Sequence, residues 1–257
     1  MRDQGLQEAI RAVGSVTELA RRLGISQPSV SNWDRVPSER VLSVEAATGI
    51  GREVLRPDLF ASRAGPDVDE TDQARAQEYA LLSTLLVRAP EASFLERLAK
   101  LRGDPSPLGV AHAALGVAAA RLTPKQVGRE YFDLFVGLSR GELLPYGSYY
   151  LTGFLYERPL ARLRGDLKRW GIEQADGQCE PEDHAAILCE IMATILRGEI
   201  EVAAGAQHEL FDRHMAPWIG RFFTDLEQSA SADFYRAVGT LGRTFVEIES
   251  EGFKLSS

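Results

Sequence analysis

Apolar residues recur with helical spacing along nearly the whole chain of 257 residues. Near the start, Leu6, Ala9, Ile10 and Val13 stand at positions i, i+3, i+4 and i+7, and Gly14 then ends the pattern. This spacing puts the four side chains on one face of a helix. Similar stripes follow beyond residue 71, and no segment alternates convincingly as a half-buried strand does. The pattern predicts an all-α protein.

A short segment without apolar periodicity divides the chain. Residues 61–72 are small, polar and acidic and contain a Gly-Pro breaker, which is typical of a linker. Charge also changes across this segment: residues 1–63 hold nine arginines and eight acids, a net of +1, which leaves −9 for the rest of a chain with net charge −8. The sequence therefore predicts a small domain at 1–60, a linker at 61–72 and a larger domain at 73–257.

The larger domain shows one helical pattern after another. A long pattern runs from Ser148 to Trp170, where Pro159 predicts a kink. Residues 180–183 contain the proline and acids that are preferred at a helix start, so they predict the opening of another helix. Typical helix lengths give about eight helices for this part of the chain, which predicts an all-helical bundle.

Composition and motifs exclude several classes of protein. No apolar run approaches the roughly 20 residues that span a bilayer, and the amino terminus has no secretory pattern, so we expect a cytoplasmic protein without membrane insertion. No Walker-type loop or dinucleotide fingerprint occurs, and no motif implies a cofactor. His208 and His214 are six residues apart instead of the four of a zinc-protease helix, and Cys179 and Cys189 lack zinc-knuckle spacing. We expect neither a metal site nor an enzyme.

Residues 16–33 have the layout of a helix-turn-helix. Ser15 and Thr17 offer caps for a first short helix, Gly24 permits a tight turn, and a second helix is predicted from about Gln27 to Trp33. The second helix carries mainly small polar residues on its outward side, a pattern typical of a helix that enters the DNA major groove.

The run VTELARRLGISQPSVSNW at residues 16–33 resembles the Cro-like helix-turn-helix family, in particular its phage antitoxin-like branch, and the resemblance covers nearly all of residues 6–60. It implies three side chains that read base edges in the major groove: Gln27, Ser29 and Asn32. It also implies three side chains that touch phosphates: Thr17, Arg35 and Arg40. A net charge of +1 is low for tight DNA binding. A protein-docking role therefore stays open, and DNA binding would require a dimer.

A second feature combines acids with aromatic residues. Six acids and no lysine or arginine occur between Glu173 and Leu196, and residues 141–150 upstream are rich in tyrosine and apolar groups. Such a combination suits a ligand that is basic at one end and apolar along the rest, for example a peptide with paired arginines. A solvated acidic loop beside an ordinary core explains the same composition.

Three blocks of this domain resemble the redox-enzyme maturation chaperones of the TorD/DmsD/NarJ type: YFDLFVG at 131–137, LPYGSYY at 144–150 and EPEDH at 180–184. The resemblance spans roughly residues 75–250. It implies an all-helical cytoplasmic protein that binds the twin-arginine leader, or the body, of a molybdenum-cofactor oxidoreductase until the cofactor is loaded. It also implies the client-binding residues, which are Glu180, Pro181, Asp183 and His184 in a hinge loop and Leu144, Tyr146 and Tyr149 in an adjoining groove.

Within this set, Asp183 can pair with a leader arginine through two parallel hydrogen bonds, whereas His184 is either a structural hydrogen-bonding group or a pH switch. The leading hypothesis is a chaperone that assembles a molybdoenzyme, with a formate dehydrogenase or a related reductase as the candidate client. The alternative is a transcriptional regulator that uses the TorD-like domain to sense the unassembled enzyme. A homodimer, which DNA binding would need, is compatible with both.

Overall fold

The computed structural model of the protein describes residues 3–60, 70–173 and 180–255. Within these ranges the regular secondary structure is helical and no strand is formed, which confirms the all-α prediction. The chain divides into two compact units, residues 1–67 and 68–257. No helix in the described ranges is long and apolar enough to cross a membrane.

The first unit is built from short helices. They are α1 (Gln4–Val13), α2 (Val16–Leu23), α3 (Gln27–Ser31), a 3₁₀ turn at Ser38–Arg40, α4 (Val41–Thr48), α5 (Arg52–Leu55) and α6 (Pro57–Phe60). Gly14 ends α1 with a φ of +90°, a conformation that favours glycine, and the Ser15 hydroxyl accepts the Glu18 N–H at 3.1 Å to start α2. The apolar side chains at these helix interfaces form a separate small core around Leu6, Leu19 and Val30.

The second helix of the helix-turn-helix is shorter than the sequence predicts. It ends at Ser31 instead of Trp33, and Asn32 is its C-cap. The Trp33 N–H donates to the Val30 carbonyl at 3.2 Å, an i to i+3 bond that tightens the last turn instead of extending it. Trp33 is half-buried and still packs against the core of the first unit.

The second unit contains the longer helices. They are α7 (Glu70–Val87), α8 (Ala92–Leu98), α9 (Pro107–Arg121), α10 (Pro124–Tyr131), α11 (Gly147–Thr152), α12 (Arg158–Arg169), α13 (Ala185–Leu196), α14 (Ala206–Leu210), α15 (Ile219–Gln228) and α16 (Phe234–Leu255). π-Helical turns at Phe132–Val136 and Phe211–Met215 continue α10 and α14. Helix α7 packs on α13, and α16 packs on α15 and α9 around one large apolar core.

A buried carboxylate holds the start of α16 in place. The Glu130 carboxylate is buried and accepts the N–H groups of residues 233–235 at 2.7, 3.0 and 2.6 Å. These donors lie at the start of α16, where the first N–H groups of a helix have no partner within the helix. Glu130 therefore ties α10 to the first turn of the longest helix.

The prediction of one kinked helix from 148 to 170 is wrong. Helix α11 ends at Gly153, whose φ is +83°, and Tyr156 also has a positive φ of +62° before α12 begins. Pro159 lies in the first turn of α12, where its missing N–H costs nothing. The proline therefore starts a second helix instead of kinking a continuous one.

The helix after the EPEDH block also begins later than predicted. Residues 180–183 form a turn, and α13 starts at Ala185 with His184 as its N-cap. Residues 61–69 of the predicted linker, and Cys179, lie outside the described residues.

Candidate functional site

Residues 144–150 and 180–184, which we call the tyrosine loop and the hinge loop, lie side by side. The Gly147 N–H donates to the Asp183 carbonyl oxygen at 2.9 Å. Because the two loops belong to separate helical segments, the contact between them is made only in the folded bundle. The two loops form one local structure at the N-terminal ends of α11 and α13.

Asp183 is buried at this junction, with only 3% of its surface exposed. One carboxylate oxygen, Oδ2, accepts the Ser148 N–H at 2.7 Å and so caps α11. The other oxygen, Oδ1, is buried and has no hydrogen-bond partner in the described ranges. Asp183 also lines a cavity of about 250 Å³ with apolar walls from Leu151, Pro159 and Leu163. We call this space the Asp183 cavity.

His184 acts as a hydrogen-bond acceptor at the start of α13. Its Nδ1 accepts the Ala186 N–H at 3.0 Å, which requires an unprotonated nitrogen. Burial of the ring lowers its pKa to about 4 because the charged form loses its hydration. The ring also meets Tyr146 edge to face at a centroid distance of 5.0 Å. This arrangement corresponds to the structural role that the sequence left open for His184.

The remaining hinge-loop residues hold the two loops together. The Tyr146 hydroxyl donates to the exposed carboxylate of Glu180 at 2.5 Å, and burial together with this bond raises the pKa of Tyr146. Pro181 is buried, and its carbonyl oxygen accepts the His184 N–H at 3.0 Å. The structure therefore brings together Tyr146, Glu180, Pro181, Asp183 and His184.

Leu144 and Tyr149 lie on a different surface. Both are half-buried and line a depression of about 440 Å³, not the Asp183 cavity. The Tyr149 hydroxyl accepts a hydrogen bond from Arg140 at 2.6 Å, and the Arg140 guanidinium lies 5.1 Å from the centre of the Tyr149 ring. Asp225 lines this Tyr149 depression and accepts the Tyr150 hydroxyl at 2.9 Å. The predicted groove consequently has two parts.

Sequence reasoning missed four ionisable residues that complete the Asp183 cavity, namely Arg162, Asp212, Arg213 and His214. Arg213 pairs with Asp166 at 3.2 Å and with Glu209. His214 lies 2.7 Å from the same Asp166 carboxylate. These residues belong to α12 and to the π-helical turn after α14. No local pattern links either segment to the hinge loop, so only their tertiary contacts identify them.

The six predicted DNA-contacting side chains are all exposed on the first unit, and they are Thr17, Gln27, Ser29, Asn32, Arg35 and Arg40. Two of the polar groups in α3 are already engaged locally, because Gln27 Nε2 donates to the Ser31 hydroxyl at 2.7 Å and the Ser26 and Ser29 hydroxyls are 2.7 Å apart. Such exposed bonds exchange readily with water or with another polar partner.

Helix α2 presents two arginines whose charge is offset by a neighbouring acid. Glu18 accepts hydrogen bonds from Arg21 at 2.8 and 2.7 Å and from Arg22 at 3.0 Å. The bond from Arg21 is the main reason that the pKa of Glu18 falls to about 2. The first unit therefore exposes polar side chains suited to base edges but little net positive charge.

Comparisons with known proteins agree with both resemblances. Residues 6–64 match the family model described as bacterial toxin YdaS, and residues 102–224 match the family model described as nitrate reductase delta subunit. These matches confirm the two resemblances that the sequence shows, one in residues 6–64 and one in residues 102–224.

The named relatives of residues beyond the predicted linker are TorD chaperones. The chaperone protein TorD of Vibrio cholerae serotype O1 strain O395 is 26% identical over 131 residues, which cover 48% of this chain and 60% of the relative. The chaperone protein TorD of Shewanella pealeana is 23% identical over 209 residues, which cover 72% of this chain and 92% of the relative. This chain thus spans about 60% of the length of the first relative.

A solved structure is also similar. A redox enzyme maturation protein from Archaeoglobus fulgidus aligns with a TM-score of 0.46 and 17% identity, covering 67% of this chain and 93% of that chain.

Proposed function

We propose that this chain is a cytoplasmic maturation chaperone for a molybdenum-cofactor oxidoreductase and that it binds the twin-arginine leader of that enzyme. The observation that carries the proposal concerns Asp183, which is buried and lines the Asp183 cavity, and whose Oδ1 has no hydrogen-bond partner among the described residues. The chaperone relatives support the same class. The activity is non-covalent binding and release, with no catalytic step.

In this mechanism a leader guanidinium enters the Asp183 cavity and donates to Oδ1. Its methylene stem packs on the apolar wall that Leu151 and Leu163 provide. A buried carboxylate oxygen without a donor is costly, and a hydrogen bond to a charged group contributes about 1.5–3 kcal/mol. Arg213 offers little repulsion, because Asp166 and Glu209 already pair with it. Arg162 lines the same cavity and is the cation that opposes the leader.

The apolar part of the leader would then extend along a second surface. The Tyr149 depression presents Leu144 and Tyr149, which suit the uncharged residues that follow paired arginines in a leader. Binding at both surfaces would mask the leader from the export machinery. Release would follow when a competing receptor takes the arginines.

The test is the affinity of a fluorescent twin-arginine leader peptide for the full chain, measured by anisotropy. Asp183→Asn keeps an oxygen for the Ser148 N–H but removes the charge, so we expect Kd to rise at least about tenfold with little change in stability. Arg162→Gln removes the opposing cation and should lower Kd. Glu96→Gln neutralises an exposed acid on α8, outside the acidic stretch 173–196, and serves as the matched control with unchanged Kd.

A peptide with both arginines replaced by glutamine completes a double-mutant cycle. If Asp183 binds an arginine, the Asp183→Asn variant should show no further loss with this peptide. Equal losses for both peptides, or an unchanged Kd for Asp183→Asn, would contradict the assignment of Asp183.

The exposed polar face of α3 favours a second candidate function. Gln27, Ser29 and Asn32 are all exposed on a unit with its own apolar core, which supports a transcriptional regulator whose TorD-like unit senses the unassembled enzyme. The expected result is that a Gln27→Ala/Asn32→Ala double variant loses binding to an operator selected with the full chain, while its leader affinity stays unchanged. Retained operator binding by this variant would count against base recognition by α3.

A further inference from the structure

A further cavity among the described residues lies away from both loops. It has a volume of about 690 Å³ between α7, α16 and the segment 205–208. Apolar side chains form part of its wall: Leu108, Phe245, Ile248 and Phe253. None of its lining residues lines the Asp183 cavity. The volume is within the usual range for pockets that bind small organic molecules.

The arginine at this cavity is already neutralised. Arg75 donates to Glu249 from Nε at 2.7 Å and from Nη2 at 2.8 Å, and to Asp72 from Nη1 at 2.7 Å. Its guanidinium carbon lies 4.9 Å from the centre of the Phe253 ring, which fixes the group against the wall. Tyr79 adds a further hydrogen bond to Glu249 at 2.8 Å. Arg75 is therefore committed to these partners and is poorly placed to attract an anionic ligand.

Glu78, unlike Arg75, is only partly paired. One of its oxygens, Oε1, lies 2.6 Å from His112 Nε2, while Oε2 is buried and has no hydrogen-bond partner in the described ranges. The Glu78 side chain is 15% exposed and lines the cavity. Together with Asp72 and Glu249 it gives the wall three carboxylates. The cations set against them are the Arg75 guanidinium and the His112 ring, whose pKa is raised by its hydrogen bond to Glu78. The cavity therefore combines an excess of negative charge, a carboxylate oxygen that lacks a donor among the described residues, and apolar side chains.

We propose that this Glu78 cavity binds a small organic cation that has an apolar body. A protonated amine donates to the Glu78 carboxylate and supplies the missing hydrogen-bond partner, while the body of the molecule packs on the more accessible apolar side chains of Leu108 and Ile248. A neutral apolar molecule would leave the buried oxygen unpaired, and an anion would meet the excess of carboxylates. Both should bind more weakly.

The test uses 2-phenylethylamine as the probe and isothermal titration calorimetry of the full chain at pH 7. Two molecules with the same phenylethyl skeleton serve as comparators, the neutral 2-phenylethanol and the anionic 3-phenylpropanoate. We expect the amine to bind at least about tenfold more tightly than the alcohol, and the carboxylate not to bind measurably. Glu78→Gln should raise the Kd of the amine about tenfold or more, whereas Glu96→Gln, an exposed acid on α8, should leave it unchanged.

A second variant tests the cavity without altering its charge. A Cβ at Gly252 would meet nothing within 4 Å, so Gly252→Leu should keep α16 folded and fill the space. It should abolish amine binding, while Gly165→Leu on the exposed side of α12, which is equally open, should not.

Four results would overturn the proposal: no amine binding at millimolar concentration, equal affinities for the amine and the alcohol, unchanged binding in Glu78→Gln, or unchanged binding in Gly252→Leu. None of these measurements involves the leader peptide, so their failure leaves the proposed chaperone function untouched.

Discussion

Acid should destabilise the second unit through the buried imidazole of His184. In the folded protein Nδ1 must stay unprotonated to accept the Ala186 N–H, and burial lowers the pKa of His184 from the ordinary 6.5 to about 4. Between these two values the unfolded chain binds a proton that the folded chain does not. The free energy of unfolding therefore falls as the pH falls through this interval, and the contribution is fully present only above about pH 7.

The magnitude follows from the two pKa values. At pH 5 nearly all unfolded chains carry the proton at His184 and few folded chains do, which gives a loss of about 2 kcal/mol relative to pH 7. The full difference of about 2.5 between the pKa values corresponds to about 3 kcal/mol, and it is reached below about pH 4.

Urea denaturation of the full chain and of its His184→Asn variant, each at pH 7 and at pH 5, measures this loss. Asparagine can accept the Ala186 N–H as an N-cap but does not titrate. We expect the variant to lose about 2 kcal/mol less than the wild type between the two pH values, and contributions from all other groups cancel in the comparison. Equal losses in the two proteins would refute the assignment of a low pKa and an N-cap role to His184.

Three further perturbations test other contacts. Glu130→Gln removes the charge that receives the N–H groups of residues 233–235 and should cost about 2–3 kcal/mol of unfolding free energy; an unchanged urea midpoint would argue against this cap. Gly147→Ala places a Cβ 2.9 Å from Trp218 Nε1 and should cost about 1–3 kcal/mol with a change in tryptophan fluorescence; a neutral effect would mean that the tyrosine loop can shift. Glu18→Gln frees the arginine pair of α2 and should steepen the salt dependence of DNA binding; an unchanged slope would mean that the pair lies away from phosphates.

The sequence by itself determined the local features of this protein. The spacing of apolar residues specified helices throughout, and Gly14 and Ser15 marked a helix end and a helix start that depend only on nearby residues. The EPEDH and LPYGSYY blocks located most of the candidate site because their residue types and order are recognisable without a structure. Each of these inferences rests on interactions within a few residues of the chain.

Only the tertiary structure decided features that depend on distant partners. A proline at position 159 is compatible with a kink and with a first helical turn. The break between α11 and α12 is visible only in the structure, where Gly153 and Tyr156 have positive φ. The sequence showed Asp183 as an acid in a loop. Its burial and its bond to Ser148 arise because a segment 35 residues away folds against it, and its Oδ1 has no partner among the described residues. Local patterns record which side chains prefer burial, but the packing of the whole chain determines which carboxylate loses its hydration and retains an unpaired oxygen.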